Sequence, residues 1–110
     1  MEDGRLMKSM LLDFYGELLT EKQRECYDLH YNEDLSLSEI AEQLSISRQG
    51  VWDNIRRAEQ SLTDIEEKTG LVERFETLKR EISGIKTDAA ALGQAGENIV
   101  SRLAALENEL

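Results

Sequence analysis

Five polar or aromatic residues within ten positions are of the types that bind nucleic acids. They are Arg48, Gln49, Trp52, Arg56 and Arg57. Arginine binds phosphates and base edges, glutamine hydrogen-bonds base edges, and tryptophan stacks on an unpaired base or anchors a protein interface. On a helix these residues lie on the side opposite Val51, Ile55 and Leu62. We predict that this side contacts nucleic acid.

Structural roles are the alternative interpretation of these residues. The two adjacent arginines can lie on a solvated face and pair with Glu59 or Gln60, and Trp52 can pack against the amino-terminal helix or the tail. Asp53 lies among the five residues and would repel phosphate, unless it forms an ion pair with one of the neighbouring arginines.

Apolar residues around this set have the spacing of a helix-turn-helix, whose second helix enters a DNA groove. The predicted inner positions are Ile40, Ala41, Leu44, Ile46, Val51, Ile55, Ala58 and Leu62. Ser36 and Glu39 fit a capping box at the start of the first helix, and Ser47 suits the N-cap of the second. Ser45 stands where this turn usually has glycine, so we expect some backbone strain there.

This arrangement resembles two known groups of bacterial proteins. Residues 36–59, with the leading segment 19–31, resemble the fourth region of sigma factors, which reads promoter DNA. The tracts 10–20, 32–41 and 47–51 resemble the YlxM family more closely, a family of small proteins with this sigma-like module and a helical tail. The resemblance covers residues 6 to about 75 and implies a role near the signal recognition particle, through its RNA or protein components.

Net charge argues against strong autonomous DNA binding. The chain carries a formal charge of −10 at pH 7, and phosphate contacts need clustered Lys and Arg. Residues 20–62 contain five Lys and Arg against nine carboxylates, whereas residues 47–62 contain three arginines against two carboxylates. The second motif helix is therefore the net-positive stretch of a molecule that repels phosphate at long range. We expect any nucleic-acid binding to be weak and sensitive to salt.

Composition predicts an all-α protein without catalytic chemistry. Proline is absent from the 110 residues, and only one cysteine and one histidine occur. Cys26 falls on the inner face of a predicted helix, and His30 has no partner at metal-ligand spacing. We find no phosphate loop, catalytic triad or nucleophile motif, so we expect no enzyme activity, metal or cofactor. The absence of a long apolar run predicts a cytoplasmic protein without a membrane span.

Five helices are predicted, at 5–18, 20–31, 37–44, 48–69 and 71–110. Helical spacing places an apolar face of the first helix against the core, formed by Leu6, Met10, Leu11, Phe14 and Leu18. Thr20 and Gln23 fit a second capping box. Gly70 should end the fourth helix. We expect one helical domain at 1–70, with the helix-turn-helix at about 20–62, and a tail at 71–110.

The tail carries a heptad pattern that keeps one phase from residue 71 to residue 110. It predicts a long helix, or a helical hairpin broken near Gly84 or between Gly93 and Gly96. The partner that covers the seam could be the amino-terminal helix of the same chain, a second copy or a different macromolecule. Because the seam is too long for one chain to bury alone, we expect a homo-oligomer. The predicted oligomerisation residues are Leu71, Phe75, Leu78, Ile82, Ile85, Leu92, Ile99, Leu103 and Leu106.

Three functions remain open at this point. The first is a regulatory protein of the signal recognition particle pathway. The second is a transcriptional regulator that reads DNA with the helix-turn-helix. The third is a protein-interaction module that has lost nucleic-acid binding.

Overall fold

A computed structural model describes residues 2–110, which form helices and connecting turns without strands. The elements are α1 (Glu2–Tyr15), a 3₁₀ turn (Gly16–Leu18), α2 (Glu21–Tyr31), α3 (Leu37–Leu44), α4 (Arg48–Thr69), α5 (Leu71–Ala90) and α6 (Gln94–Glu107). The all-α prediction is confirmed. None of the described helices combines the length and apolarity needed to cross a membrane.

Two compact units divide the chain. The first unit ends at Gly70 and holds α1 to α4, and the second comprises Leu71–Leu110 and holds α5 and α6. Gly70 has a left-handed backbone, with φ of 62°. Its N–H donates to the Glu66 carbonyl at 2.8 Å, which ends α4 as predicted.

Side-chain caps fix where the helices of the first unit begin. Thr20 Oγ1 accepts from the Gln23 N–H at 3.1 Å, and the Gln23 side chain accepts from the Thr20 N–H at 3.2 Å. Ser36 and Glu39 form the same reciprocal pair at 3.1 and 2.9 Å. Hydrogen bonds from the Ser36 backbone and hydroxyl lower the pKa of Glu39. Both reciprocal hydrogen bonds are present in each case, which confirms the two predicted capping boxes. Each box satisfies two N–H groups that would otherwise be unpaired at the start of the helix.

The helix-turn-helix core closes as its spacing predicted. Ile40, Val51, Ile55 and Leu62 are fully buried. Leu44 and Ile46 are half-buried against this core. Ser45 ends α3 in the left-handed region with φ of 58°, a conformation that disfavours side chains with a Cβ. The strain expected from serine at this turn is therefore present.

The face that α1 presents to the core differs from the prediction. Leu6, Phe14 and Leu18 are exposed, whereas Tyr15 and Leu19 are buried. The α-helix also ends at Tyr15 and continues as a 3₁₀ turn, although a helix over 5–18 was expected. The buried Tyr15 has two hydroxyl partners on α4. It donates to Glu66 Oε1 at 2.6 Å and lies 2.6 Å from Thr69 Oγ1.

The second unit is a helical hairpin. Its two helices meet at residues 91–93, where Gly93 has φ of 65°. Gly84 lies inside α5, so of the two expected break positions only the one near Gly93 is used. The helices approach closely at Gly96, since an added Cβ would collide with the Ala89 carbonyl oxygen. Lys86 Nζ and Glu107 Oε1 pair across the hairpin at 2.8 Å.

Candidate nucleic-acid interface

The amino-terminal half of α4 has one buried side and one exposed side. Ser47 caps the helix, accepting from the Gly50 N–H at 2.9 Å. Val51, Ile55 and Ala58 are fully buried and fix the rotation of the helix about its axis. The exposed surface, here called the outer face of α4, carries all five predicted binding residues, and each is exposed: Arg48, Gln49, Trp52, Arg56 and Arg57.

The arginines of the outer face are available for phosphate. Within residues 2–110, none of Arg48, Arg56 and Arg57 forms an ion pair. The alternative pairing with Glu59 or Gln60 is not formed. Glu59 instead accepts from the Tyr31 hydroxyl, and Gln60 Nε2 donates to Asp64 Oδ1 at 3.0 Å. The guanidinium groups therefore keep their donors for a ligand.

Asp53 is the carboxylate that lies among these arginines. It accepts a hydrogen bond from Gln49 Nε2 at 3.0 Å and forms no ion pair with an arginine within the described residues. This bond orients the Gln49 amide and leaves its carbonyl oxygen free to accept a hydrogen bond. Because Asp53 opposes the three arginines, the outer face is only moderately positive.

Trp52 keeps 43% of its surface exposed. Exposed tryptophan is uncommon in proteins because burial of its large apolar ring is energetically favourable. An indole in this position can stack on an unpaired base or fill a pocket of a partner protein. It lies one helical turn before Arg56, so stacking and phosphate binding can act on the same strand.

Two tyrosines of α2, whose positioning role was not predicted from the sequence, tie this helix to α4 and to α1. The Tyr31 hydroxyl donates to Glu59 on α4, and the Tyr27 hydroxyl donates to the Lys8 carbonyl of α1 at 2.8 Å. Lys8 Nζ lies 4.4 Å from the centre of the Tyr31 ring and 3.9 Å from Glu59 Oε1. Burial raises the pKa of both tyrosines, and Glu59 adds to the shift. The four-residue spacing of the tyrosines on α2 was the available signal.

Cys26 lies on the inner face of α2, as predicted, and His30 contacts the backbone of the following turn. Cys26 is fully buried, and burial raises the pKa of its thiol. His30 is half-buried, and its Nδ1 lies 2.9 Å from the Leu35 carbonyl oxygen, which ties α2 to the turn before α3.

Comparison with known proteins shows which protein family the chain matches. Residues 2–101 match the UPF0122 family, described as "Putative helix-turn-helix protein, YlxM / p13 like". The chain belongs to this family. The match extends beyond the residues that carried the resemblance and includes α5 and half of α6.

Relatives in several bacteria share much of the sequence. A UPF0122 protein of Caldanaerobacter subterraneus is 52% identical over 86 residues, which are 78% of this chain and 74% of the relative. A UPF0122 protein of Shouchella clausii is 43% identical over 110 residues, covering 97% of this chain and 100% of the relative. Another, from Acetivibrio thermocellus, is 60% identical over 67 residues, 61% of this chain and 57% of the relative.

Proposed function

We propose that this chain is a non-enzymatic regulatory protein of the signal recognition particle pathway, and that it binds the RNA of the particle through the outer face of α4. The observation that carries the proposal is the exposure of Trp52 beside three arginines that form no ion pair with the described side chains. The pathway comes from the resemblance to the YlxM family, and the class of ligand comes from these side chains.

An exposed indole favours RNA with unpaired bases over duplex DNA. Folded RNA presents loops and bulges whose unstacked bases can stack on an aromatic ring. Bases in a DNA duplex are already stacked and offer only their edges. The arginines would bind the neighbouring phosphates, and Gln49 is placed to hydrogen-bond a base edge.

Net charge favours a short-range contact over a search along DNA. At −10 the molecule repels a polyanion until the outer face of α4 is within reach. A ligand with a defined shape, held by stacking and a few phosphate contacts, suits such a surface better than a uniform duplex. This reasoning supports a weak and selective RNA contact.

Reading of DNA is the second candidate, and the start of α4 supports it. Arg48 and Gln49 lie in the first turn after the Ser47 cap, from which a recognition helix contacts base edges in the major groove. The two candidates differ in the residue that they need. Duplex reading depends on Arg48 and Gln49, whereas RNA binding also depends on Trp52.

Titrations with signal recognition particle RNA and with random duplex DNA, each at two salt concentrations, test the proposal. We expect the wild-type chain to bind the RNA more tightly. Trp52→Ala should weaken RNA binding by about 1–3 kcal/mol and leave the salt dependence unchanged. Arg56→Ala should reduce the slope of log affinity against log salt by about one unit.

Two variants outside the proposed interface serve as controls. Leu18→Ala removes an exposed apolar side chain, and Arg80→Ala removes an exposed arginine of α5. Both should bind as the wild type does. Tighter binding of duplex DNA than of RNA would favour the transcriptional regulator. Binding of neither nucleic acid would contradict both candidates and favour an interaction module.

A further inference from the structure

Five aliphatic residues of the second unit are exposed at intervals of seven residues. They are Leu78, Ile85, Leu92, Ile99 and Leu106, and between 40% and 63% of each residue is exposed. We call them the exposed register. The exposed register is an apolar stripe that is in contact with water in the isolated chain.

The other half of the heptad pattern is already used inside the hairpin. Ala89 and Gly96 are buried, and Ile82 and Leu103 are half-buried. The predicted seam therefore divides into two registers. One register packs α5 against α6, and the exposed register remains available for a partner.

Both helices present the exposed register on the same face of the hairpin. At about 100° per residue, positions three or four away from the buried register are rotated by roughly 40–60° in the same sense on each helix. The helices run in opposite directions, so equal rotations relative to the helix axes bring Leu78 and Ile85 to the same side as Ile99 and Leu106. The result is a continuous apolar face two helices wide.

We propose that this face binds the same face of a second copy of the chain and forms an antiparallel four-helix bundle. A two-fold axis matches the seven-residue spacing on each helix with the same spacing on its partner, so the stripe is self-complementary. Charge permits this pairing, since residues 71–110 carry five Lys and Arg against seven carboxylates, whereas residues 1–70 carry eight against 16. The second unit is therefore the less repulsive surface for self-association.

The size of the face fits a weak dimer. A helix of 20 residues such as α5 is about 30 Å long, and two packed helices are about 20 Å wide. Because α6 has 14 residues and is only about 21 Å long, the two faces together would bury on the order of 1,000 Å², a size typical of weak complexes. We expect a dimer with micromolar affinity.

Sedimentation equilibrium of the full chain, from low to high micromolar concentration, tests this proposal. The wild type should change from one to two chain masses over this range. Ile85→Asp and Leu106→Asp, on different helices of the hairpin, should each raise the dissociation constant by roughly tenfold or more, because each places a charge in the apolar centre of the interface. Ile85→Gln is a milder variant that should weaken association while retaining helicity by circular dichroism.

Leu18→Asp is the matched control, because it introduces the same charge at an exposed leucine of the first unit. It should associate as the wild type does. A wild type that stays monomeric at high micromolar concentration would overturn the proposal and assign the face to a partner of different sequence. Equal dimerisation of the wild type and the well-folded Ile85→Gln and Leu106→Asp variants would also overturn it, by placing the contact elsewhere.

Discussion

The two units differ in how completely they bury the apolar sides of their amphipathic helices. In the first unit, α4 packs against three other helices, and its inner positions Val51, Ile55 and Leu62 are fully buried. In the second unit α5 and α6 pack against each other, and Ile85 and Leu106 stay exposed. Periodic apolar residues predict that a helix has an apolar side. The packing of helices within each unit decides how much of that side is buried.

The largest expected effect compares two isoleucines, one from each unit. Ile55→Ala should reduce the free energy of unfolding by about 2–5 kcal/mol, because it removes a fully buried side chain and leaves a cavity. Ile85→Ala should reduce it by less than about 1 kcal/mol, because water already covers much of that residue. Urea denaturation at low micromolar concentration measures both values without a contribution from self-association.

Leu18→Ala, at another exposed residue, is the control for Ile85→Ala and should also have a small effect. Equal destabilisation by Ile55→Ala and Ile85→Ala would contradict the contrast between the units. It would mean that the exposed register is covered even in dilute solution.

Two glycines of the second unit should respond to alanine with opposite signs. Gly96→Ala should destabilise the hairpin by about 1–3 kcal/mol, because the new Cβ collides with the Ala89 carbonyl oxygen. Gly84→Ala should stabilise it by roughly 0.5–1 kcal/mol, because Gly84 lies within α5 with open space around it. Thermal unfolding followed by circular dichroism measures both shifts. A Gly96→Ala variant as stable as the wild type would contradict the close approach at Gly96, and destabilisation by Gly84→Ala would contradict the open space around Gly84.

Local signals made the first unit largely predictable from the sequence. Capping boxes and the spacing from Ile40 to Leu62 depend on residues three or four positions apart, and the structure confirms them. The exposed side of α4 follows directly, because a buried side determines its opposite. Exposure of Gln49, Arg56 and Arg57 is thus a geometric consequence of the core, whereas exposure of Arg48 and Trp52, each three residues before a buried position, is not. Their binding role stays a prediction.

Contacts between distant residues decided what the sequence left open. The apolar residues of α1 offered several possible faces, and its rotation depends on Tyr15 reaching Glu66, 51 positions away. Tyr31 and Glu59, 28 positions apart, form a similar pair. In the tail, a single heptad phase is compatible with one long helix or a hairpin. The turn at Gly93 decides between them, because only glycine readily adopts its φ of 65° with ψ of −136°.

The smallest expected effect concerns two left-handed positions, one with and one without a side chain. Ser45 and Gly70 have nearly equal φ values, 58° and 62°, at the carboxyl ends of α3 and α4. Ser45→Gly should stabilise the first unit by roughly 0.5–1 kcal/mol, because removal of Cβ relieves the left-handed strain and outweighs the added flexibility of the unfolded chain. Gly70→Ser introduces that strain and should destabilise the chain by a similar amount. Chemical denaturation of the two variants and of the double variant should give effects that add, since the positions lie in separate turns. Destabilisation by Ser45→Gly would show that its side chain contributes more to the helix-turn-helix than its backbone conformation costs.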